Sequence, residues 1–224
     1  MAHGGLIGVI AQDTARFTLF ASSLISLETP PGSRVEWRIG HSVAANTNAL
    51  CQQTLDTGAK WLWILGDDHA FTPTVLTRLL AVDADVVLPL CLTRVHPYKP
   101  VLFTGADSNG CRTRLNLDDH PKGGVIGIHS AGSAGMLIHR HVLEGLRQPW
   151  FRSGTTEAGG GVETGEDLYF CDQARQAGHR IKADLGCYLA HLTTAAIWPL
   201  HQPDGWTYGL SMSGGLQIAM PRDH

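Results

Sequence analysis

Two adjacent carboxylates and an imidazole, Asp67-Asp68-His69, follow directly on the apolar run Trp61-Leu62-Trp63-Ile64-Leu65 and a single glycine, Gly66. A buried strand that ends in clustered acids puts them at the carboxyl edge of a sheet, where open α/β sheets bind ligands. Two neighbouring carboxylates repel one another unless a cation, a donor network or solvent compensates them. A divalent metal does so most directly, and oxygen with imidazole suits Mn²⁺ or Mg²⁺ carrying phosphates. A second reading stays open, in which Asp67 or Asp68 caps the helix announced by Thr72-Pro73.

Further along, Thr164-Gly165-Glu166-Asp167 also admits two readings. Thr164 with Asp167 three residues later resembles a capping box, and acids in a first turn gain from the helix dipole. Yet Asp167 shares a helical stripe with Phe170, Cys171, Ala174 and Gly178, so its carboxylate is predicted to face the sheet. An inward acid behind the flexible Gly159-Gly160-Gly161 is placed like a general base. His191 closes an apolar segment, Tyr188-Leu189-Ala190. Taken alone it reads as a packing or surface histidine; its weight comes from standing last in the series of acid cluster, acid pair and imidazole.

The elements that must position these groups alternate along the chain. Leu6 to Ile10 reads as a strand, and Phe17, Phe20, Ala21, Leu24 and Leu27 as a helix stopped by Pro30-Pro31-Gly32. Val35 to Ile39 alternates as a half-exposed strand does, and a helix over 43–57 carries Val43, Thr47, Leu50 and Thr54 on one stripe. Trp61 to Leu65 and Asp85 to Leu90 are near-continuous apolar strands, with a helix capped at Thr72-Pro73 between them. The pattern predicts an α/β protein with a mostly parallel sheet flanked by helices. Turn signals over 93–122 predict loops and short antiparallel strands; a strand at Met136 to His139, a short helix at 142–146, a helix from Glu166 and strands at 180–183 and 188–191 complete the core. We read one domain over 1–197. The tail, 198–224, is rich in glycine without clear periodicity and is expected to pack on or near the site.

Composition narrows the class. With 17 Lys and Arg against 20 Asp and Glu, the net charge of −3 gives no footprint for bulk nucleic acid or anionic membrane. Gln12, Asp13 and Arg16 break the apolar stretch from Leu6 to Leu27, so it reads as a strand followed by a helix and not as a signal peptide or membrane span. Five scattered cysteines without a CxxC pair point to reduced thiols and a cytoplasmic protein.

In combination, Trp61 to Phe71, Gly132-Ser133-Ala134-Gly135-Met136-Leu137-Ile138, Pro149-Trp150-Phe151 and Gly165-Glu166-Asp167-Leu168-Tyr169-Phe170-Cys171 resemble family 2 glycosyltransferases of the GT-A fold, short bacterial or phage members in particular. The resemblance runs from about residue 5 to 195. It implies a nucleotide-sugar donor, a UDP- or GDP-sugar, at the sheet's carboxyl edge, with Mn²⁺ or Mg²⁺ bridging its diphosphate. Asp68 matches the final metal-binding acid of the DxD-type triplet and His191 the late histidine that completes the metal shell, while Gly66 stands where the first acid usually is. His69 is the further metal candidate, and either it or Asp67 would cover for that glycine. Asp67 is assigned to the donor, as are Asn48 and Gly135. Asp167 matches the base that deprotonates the acceptor in inverting members, and Glu166 would assist acceptor or helix-start binding. Ala11, Asp13 and Arg16 follow the first strand, where the nucleotide base is received. Glycan, protein, lipid carrier and modified nucleobase all suit as acceptor. Two other classes remain at this stage, a sugar nucleotidyltransferase and a non-catalytic nucleotide-sugar-binding module. The first would show a glycine-rich basic phosphate loop, which Gly4-Gly5-Leu6-Ile7-Gly8 lacks; the second is motivated by Gly66.

Overall fold

In the computed structural model, which describes residues 4–11, 17–94, 98–108, 111–155, 163–202, 205–212 and 217–219, strand β3 (Trp61–Gly66) lies inside the central sheet and is buried on both faces. Its side chains alternate: Leu62 and Ile64 enter one core, Trp61, Trp63 and Leu65 the other. That two-faced burial explains why the run is continuously apolar rather than alternating. Helices α1 (Thr18–Ile25) and α3 (Val75–Leu80) cover one face through Phe20, Val75, Leu76 and Leu79. Helices α2 (Val43–Asp56), α4 (Arg140–Gly145) and α5 (Glu166–Gln176) cover the other through Leu50, Cys51, Val142, Leu143, Phe170 and Ala174.

The remaining strands of this sheet are β1 (Leu6–Ile10), β2 (Arg34–Arg38), β4 (His69–Phe71), β5 (Val86–Cys91), β8 (Val125–Gly127), β10 (Leu137–His139) and β13 (Ile181–His191). Among the described residues the order is β2-β1-β3-β10-β5-β13-β4, with β8 also on β13. Strands β2, β1, β3, β5 and β13 share one direction, so the sheet is mainly parallel, as expected; β10 enters antiparallel between β3 and β5. Outside it lie β6 (Leu102–Ala106), β7 (Arg112–Arg114) and β9 (Ser130–Ala131), an antiparallel trio over the turn-rich region. The short pair β11 (Gly154–Thr155) and β12 (Glu163–Thr164) precedes α5.

The structure corrects the sequence reading in four places. His69 to Phe71 is a strand, antiparallel to the end of β13. The two segments at 180–183 and 188–191 are one strand with a bulge between Asp184 and Tyr188; buried Asp184 holds it, accepting from the Gly186 amide at 2.9 Å and from Arg78. Helix α3 begins at Val75 with no side-chain cap, because Thr72 offers its carbonyl to the Val75 amide and closes a turn first. Where the tail showed no periodicity, the backbone forms an antiparallel sheet of β14 (Ala195–Gln202), β15 (Gly205–Met212) and β16 (Gln217–Ala219). No helix of the described residues is long and apolar enough to cross a membrane.

Candidate active site

Parallel strands β1, β3, β5 and β13 all end on one side of the sheet, and a cleft of about 440 Å³ opens near that edge. Its lining gathers Ile10 and Ala11 from the end of β1, Asp67, Asp68 and His69 after β3, and Gly132, Ser133 and Ala134 from the glycine turn. Arg94, Glu166, Asp167 and His191 join them, with His41 and Asn46 at the start of α2. Ligand binding at strand carboxyl ends follows from this architecture, where loops diverge and leave a crevice.

Register places the imidazoles. His69 on β4 pairs directly with His191 on β13, and directly opposed side chains share a face. Their rings stack with centroids 5.0 Å apart. Asp68 lies between charged partners: Oδ2 is 2.9 Å from Arg94 Nη1 and 3.5 Å from His191 Nε2, and Oδ1 is 3.6 Å from His69 Nδ1. Burial alone would raise the Asp68 carboxyl, but the hydrogen bond from His191 and the positive field of His69, His191 and Arg94 outweigh it and hold it at about 2. For His191, burial opposes the charged form, yet Asp68, Cys91 and the Leu92 carbonyl, 2.9 Å from Nδ1, push it up to about 10. Cys91, at the end of β5, is buried; against that burial, His191 and His69 lower its thiol to about 7. One ring nitrogen from each histidine and the Cys91 sulfur lie within 4.8 Å of one another. His69 Nε2 is buried with no hydrogen-bond partner, while its Nδ1 sits 3.2 Å from both the amide nitrogen and the carbonyl oxygen of Gly66, donating to the latter in the tautomer that leaves a lone pair on Nε2.

Asp167 stands at the first turn of α5 with its carboxylate turned toward the glycine turn. Oδ2 accepts from the Ser133 amide at 3.2 Å and Oδ1 from the Leu168 amide at 2.8 Å. Desolvation raises this carboxyl, against the backbone hydrogen bonds and helped by the charge of Glu166. It does not act as a capping box, since the cap of α5 is Gly165, with no side-chain hydrogen bond. Glu166 also lines the cleft and accepts from Ser153 Oγ at 3.3 Å.

The structure thus brings Ala11, Asp67, Asp68, His69, Glu166, Asp167 and His191 into one cleft. Two other sequence assignments fall elsewhere. Asn48 is spent on the chain: its amide donates to the Phe151 carbonyl at 2.7 Å and accepts from the Phe151 amide at 3.1 Å, while Asn46, two residues earlier and so on another side of α2, lines the cleft. Gly135 has φ +70°, and a Cβ there would meet Pro89 and Leu189 at 2.8 Å; its carbonyl accepts from Trp63 Nε1. It shapes the turn, and Gly132 is the glycine on the cleft wall. Asp13 and Arg16 lie outside the described residues. Sequence reasoning missed Arg94, Ser133 and Cys91. Cys91 ends an apolar strand at the same edge as Gly66, which is the signal that was available.

No protein-family profile matches the chain, and no curated protein matches its sequence. Among solved structures the chain is similar to A197 from STIV, with a TM-score of 0.54 and 14% identity over 97% of this chain and 98% of that one. It also aligns with S. aureus TarS 1–349, at TM-score 0.47 and 10% identity over 83% of this chain and 60% of that one. With TarS 1–349 in complex with UDP-GlcNAc the values are 0.48 and 11%, over 85% and 59%. Identities this low define a shared fold with A197 and nothing finer.

Proposed function

We propose that the chain is a GT-A glycosyltransferase that moves a sugar from a nucleotide-sugar donor to an acceptor hydroxyl with inversion. One observation carries the reading: a single cleft at the carboxyl edge joins Arg94, His69, His191 and two aspartates, groups fit to hold a diphosphate directly or through a cation, to a carboxylate fit to be a base. The motif resemblance supports the same assignment, and Asp67, Asp68, Asp167 and His191 occupy the expected side of the sheet.

In the proposed reaction the acceptor oxygen forms a bond to the anomeric carbon as the carbon–diphosphate bond breaks, its electron pair leaving with the nucleoside diphosphate. Asp167 takes the acceptor proton; its raised carboxyl makes it a stronger base than an ordinary aspartate. The Ser133 and Leu168 amides fix its two oxygens, so little reorganisation precedes the step. Arg94, held on Asp68, presents a fixed cation to the departing diphosphate. A divalent cation held by Asp68, His69 and His191 would add positive charge at the same place. The orphaned Nε2 of His69 is the buried donor that such an ion would satisfy. Five free thiols support a reducing, cytoplasmic setting.

The test is a panel of UDP- and GDP-sugars assayed for donor hydrolysis and transfer, with and without added Mn²⁺ or Mg²⁺. Turnover that disappears in Asp167→Asn while donor binding persists is expected. Pyrophosphate release from a sugar phosphate and a nucleoside triphosphate would assign a nucleotidyltransferase instead. Donor binding without any turnover would assign a binding module.

A further inference from the structure

We propose that Cys91 joins His69 and His191 as the third protein donor to the cation of this cleft, making an N₂S site for an ion of the zinc class. The inference builds on the cation of the proposed transferase site and changes what that ion is. Three observations carry it. The three donor atoms already lie within 4.8 Å of one another, so movements of about an ångström or less bring them to the 2.0–2.3 Å shell of Zn²⁺. Both His69 and Cys91 are buried, 5% and 1% exposed, which fixes the donors on strand ends instead of mobile loops. His69 Nε2 is buried without a hydrogen-bond partner, a cost the fold bears unless something else bonds that nitrogen.

Donor chemistry then selects the ion. Mg²⁺ takes oxygen ligands in an octahedral shell and dehydrates reluctantly. Two imidazoles and a thiolate are the donors of Zn²⁺ and Co²⁺. Asp68, 3.5–3.6 Å from both imidazoles, keeps a carboxylate at the margin of the shell. Gly66 fits this account: where the oxygen-rich triplet would supply its first acid, the chain supplies no side chain, and the thiol arrives from β5.

Affinity alone does not test the proposal, because nearly any nitrogen, oxygen and sulfur site binds Zn²⁺ more tightly than Mn²⁺. The sulfur must be seen. A second trio, Asp85, His141 and His179, lies beyond the opposite end of β5, and Cys111 is exposed. The measurement therefore uses full-length, reduced, metal-free protein carrying His141→Ala and Cys111→Ser. Titration with Co²⁺ is expected to give a near-ultraviolet sulfur-to-cobalt charge-transfer band that saturates at a single equivalent and is displaced by Zn²⁺. Cys91→Ser is expected to abolish the band and to weaken Zn²⁺ binding by at least the roughly tenfold that loss of an outer-shell partner costs.

Should Cys91→Ser fail to fold, X-ray absorption of the zinc-loaded background protein decides the matter, with one sulfur at about 2.3 Å expected beside nitrogens at about 2.0–2.1 Å. A shell of nitrogen and oxygen only, or a charge-transfer band that survives Cys91→Ser, overturns the proposal. The transferase reading fails separately: a sulfur-bound ion in a protein that neither binds nor turns over any nucleotide sugar would leave this site standing and overturn the transferase. Turnover with an ion free of sulfur would do the reverse.

Discussion

Replacing Asp167 with Asn removes one ionisable oxygen and leaves α5 otherwise unchanged. In the native chain the two oxygens accept from Ser133 and Leu168 amides at 3.2 and 2.8 Å. Asn offers one acceptor, so one amide meets an NH₂ group and a charge-assisted hydrogen bond worth roughly 1.5–3 kcal/mol is lost. Burial opposes this loss, since it raises the native carboxyl above its unfolded value. A carboxyl raised on folding contributes most below the unfolded value of about 3.9, and that contribution falls as pH climbs through the folded value. The stability deficit of Asp167→Asn is therefore largest in acid and shrinks toward neutrality. Catalysis moves further: a positioned base contributes roughly 10²–10⁴ in rate, or about 2.7–5.4 kcal/mol at 1.36 kcal/mol per decade. The raised carboxyl also sets the acid limb of kcat/KM above the ordinary aspartate range. The assay is kcat and kcat/KM for sugar transfer against pH in both proteins, with thermal melts between about pH 4 and neutrality. A loss of kcat below about tenfold, an acid limb that persists in the variant, or a deficit that grows with pH would refute the reasoning.

Gly66→Asp, which restores the missing acid of the triplet, is expected to weaken donor and metal binding about tenfold or more, because its Cβ would stand 2.6 Å from Asp68 Oδ1 and 3.2 Å from the His69 ring; isothermal titration checks it, and tighter Mn²⁺ binding would contradict it. Asn48→Ala leaves both backbone groups of buried Phe151 without partners, at about 1–3 kcal/mol each, so a melting point lower by roughly 4–24 °C is expected by calorimetry. Phe170→Ala empties a fully buried site stacked on Phe151 at 4.6 Å and is expected to cost about 3–5 kcal/mol in urea unfolding, with Phe170→Leu costing clearly less.

Hydrophobic pattern made the frame legible wherever an element's own residues determine it. The buried strands β1, β3 and β5 read as unbroken apolar runs, and α5 was legible from its stripe and from the acids at its start. Asp167 could be placed for the same reason, since helical spacing alone turns it toward the sheet. What the pattern lacks is direction and distant partnership. Nothing in Leu137 to His139 says that β10 runs against β3 and β5. The three residues of β4 are too short to show a period, and they are a strand only because the far end of β13 pairs with them. Asn48 read as a cleft residue because the Phe151 backbone that claims its amide lies far along the chain. Cys91 reads only as one of five scattered thiols, because the imidazoles that meet it arrive from β4 and the far end of β13.

Gly66 shows why the departure from the DxD pattern is part of the site's electrostatics. A carboxylate at that position would bring a further negative charge against Asp68, inside a cluster whose positive members are Arg94 and His191. The space its side chain would fill is already taken by Asp68 Oδ1. Without that side chain, the Gly66 carbonyl lies 3.2 Å from His69 Nδ1 and can accept its proton, which fixes the ring and leaves the Nε2 lone pair without a hydrogen-bond partner. On the proposed transferase reading the glycine therefore gives up an oxygen ligand for an oriented imidazole, and Arg94 at 2.9 Å balances the charge of Asp68.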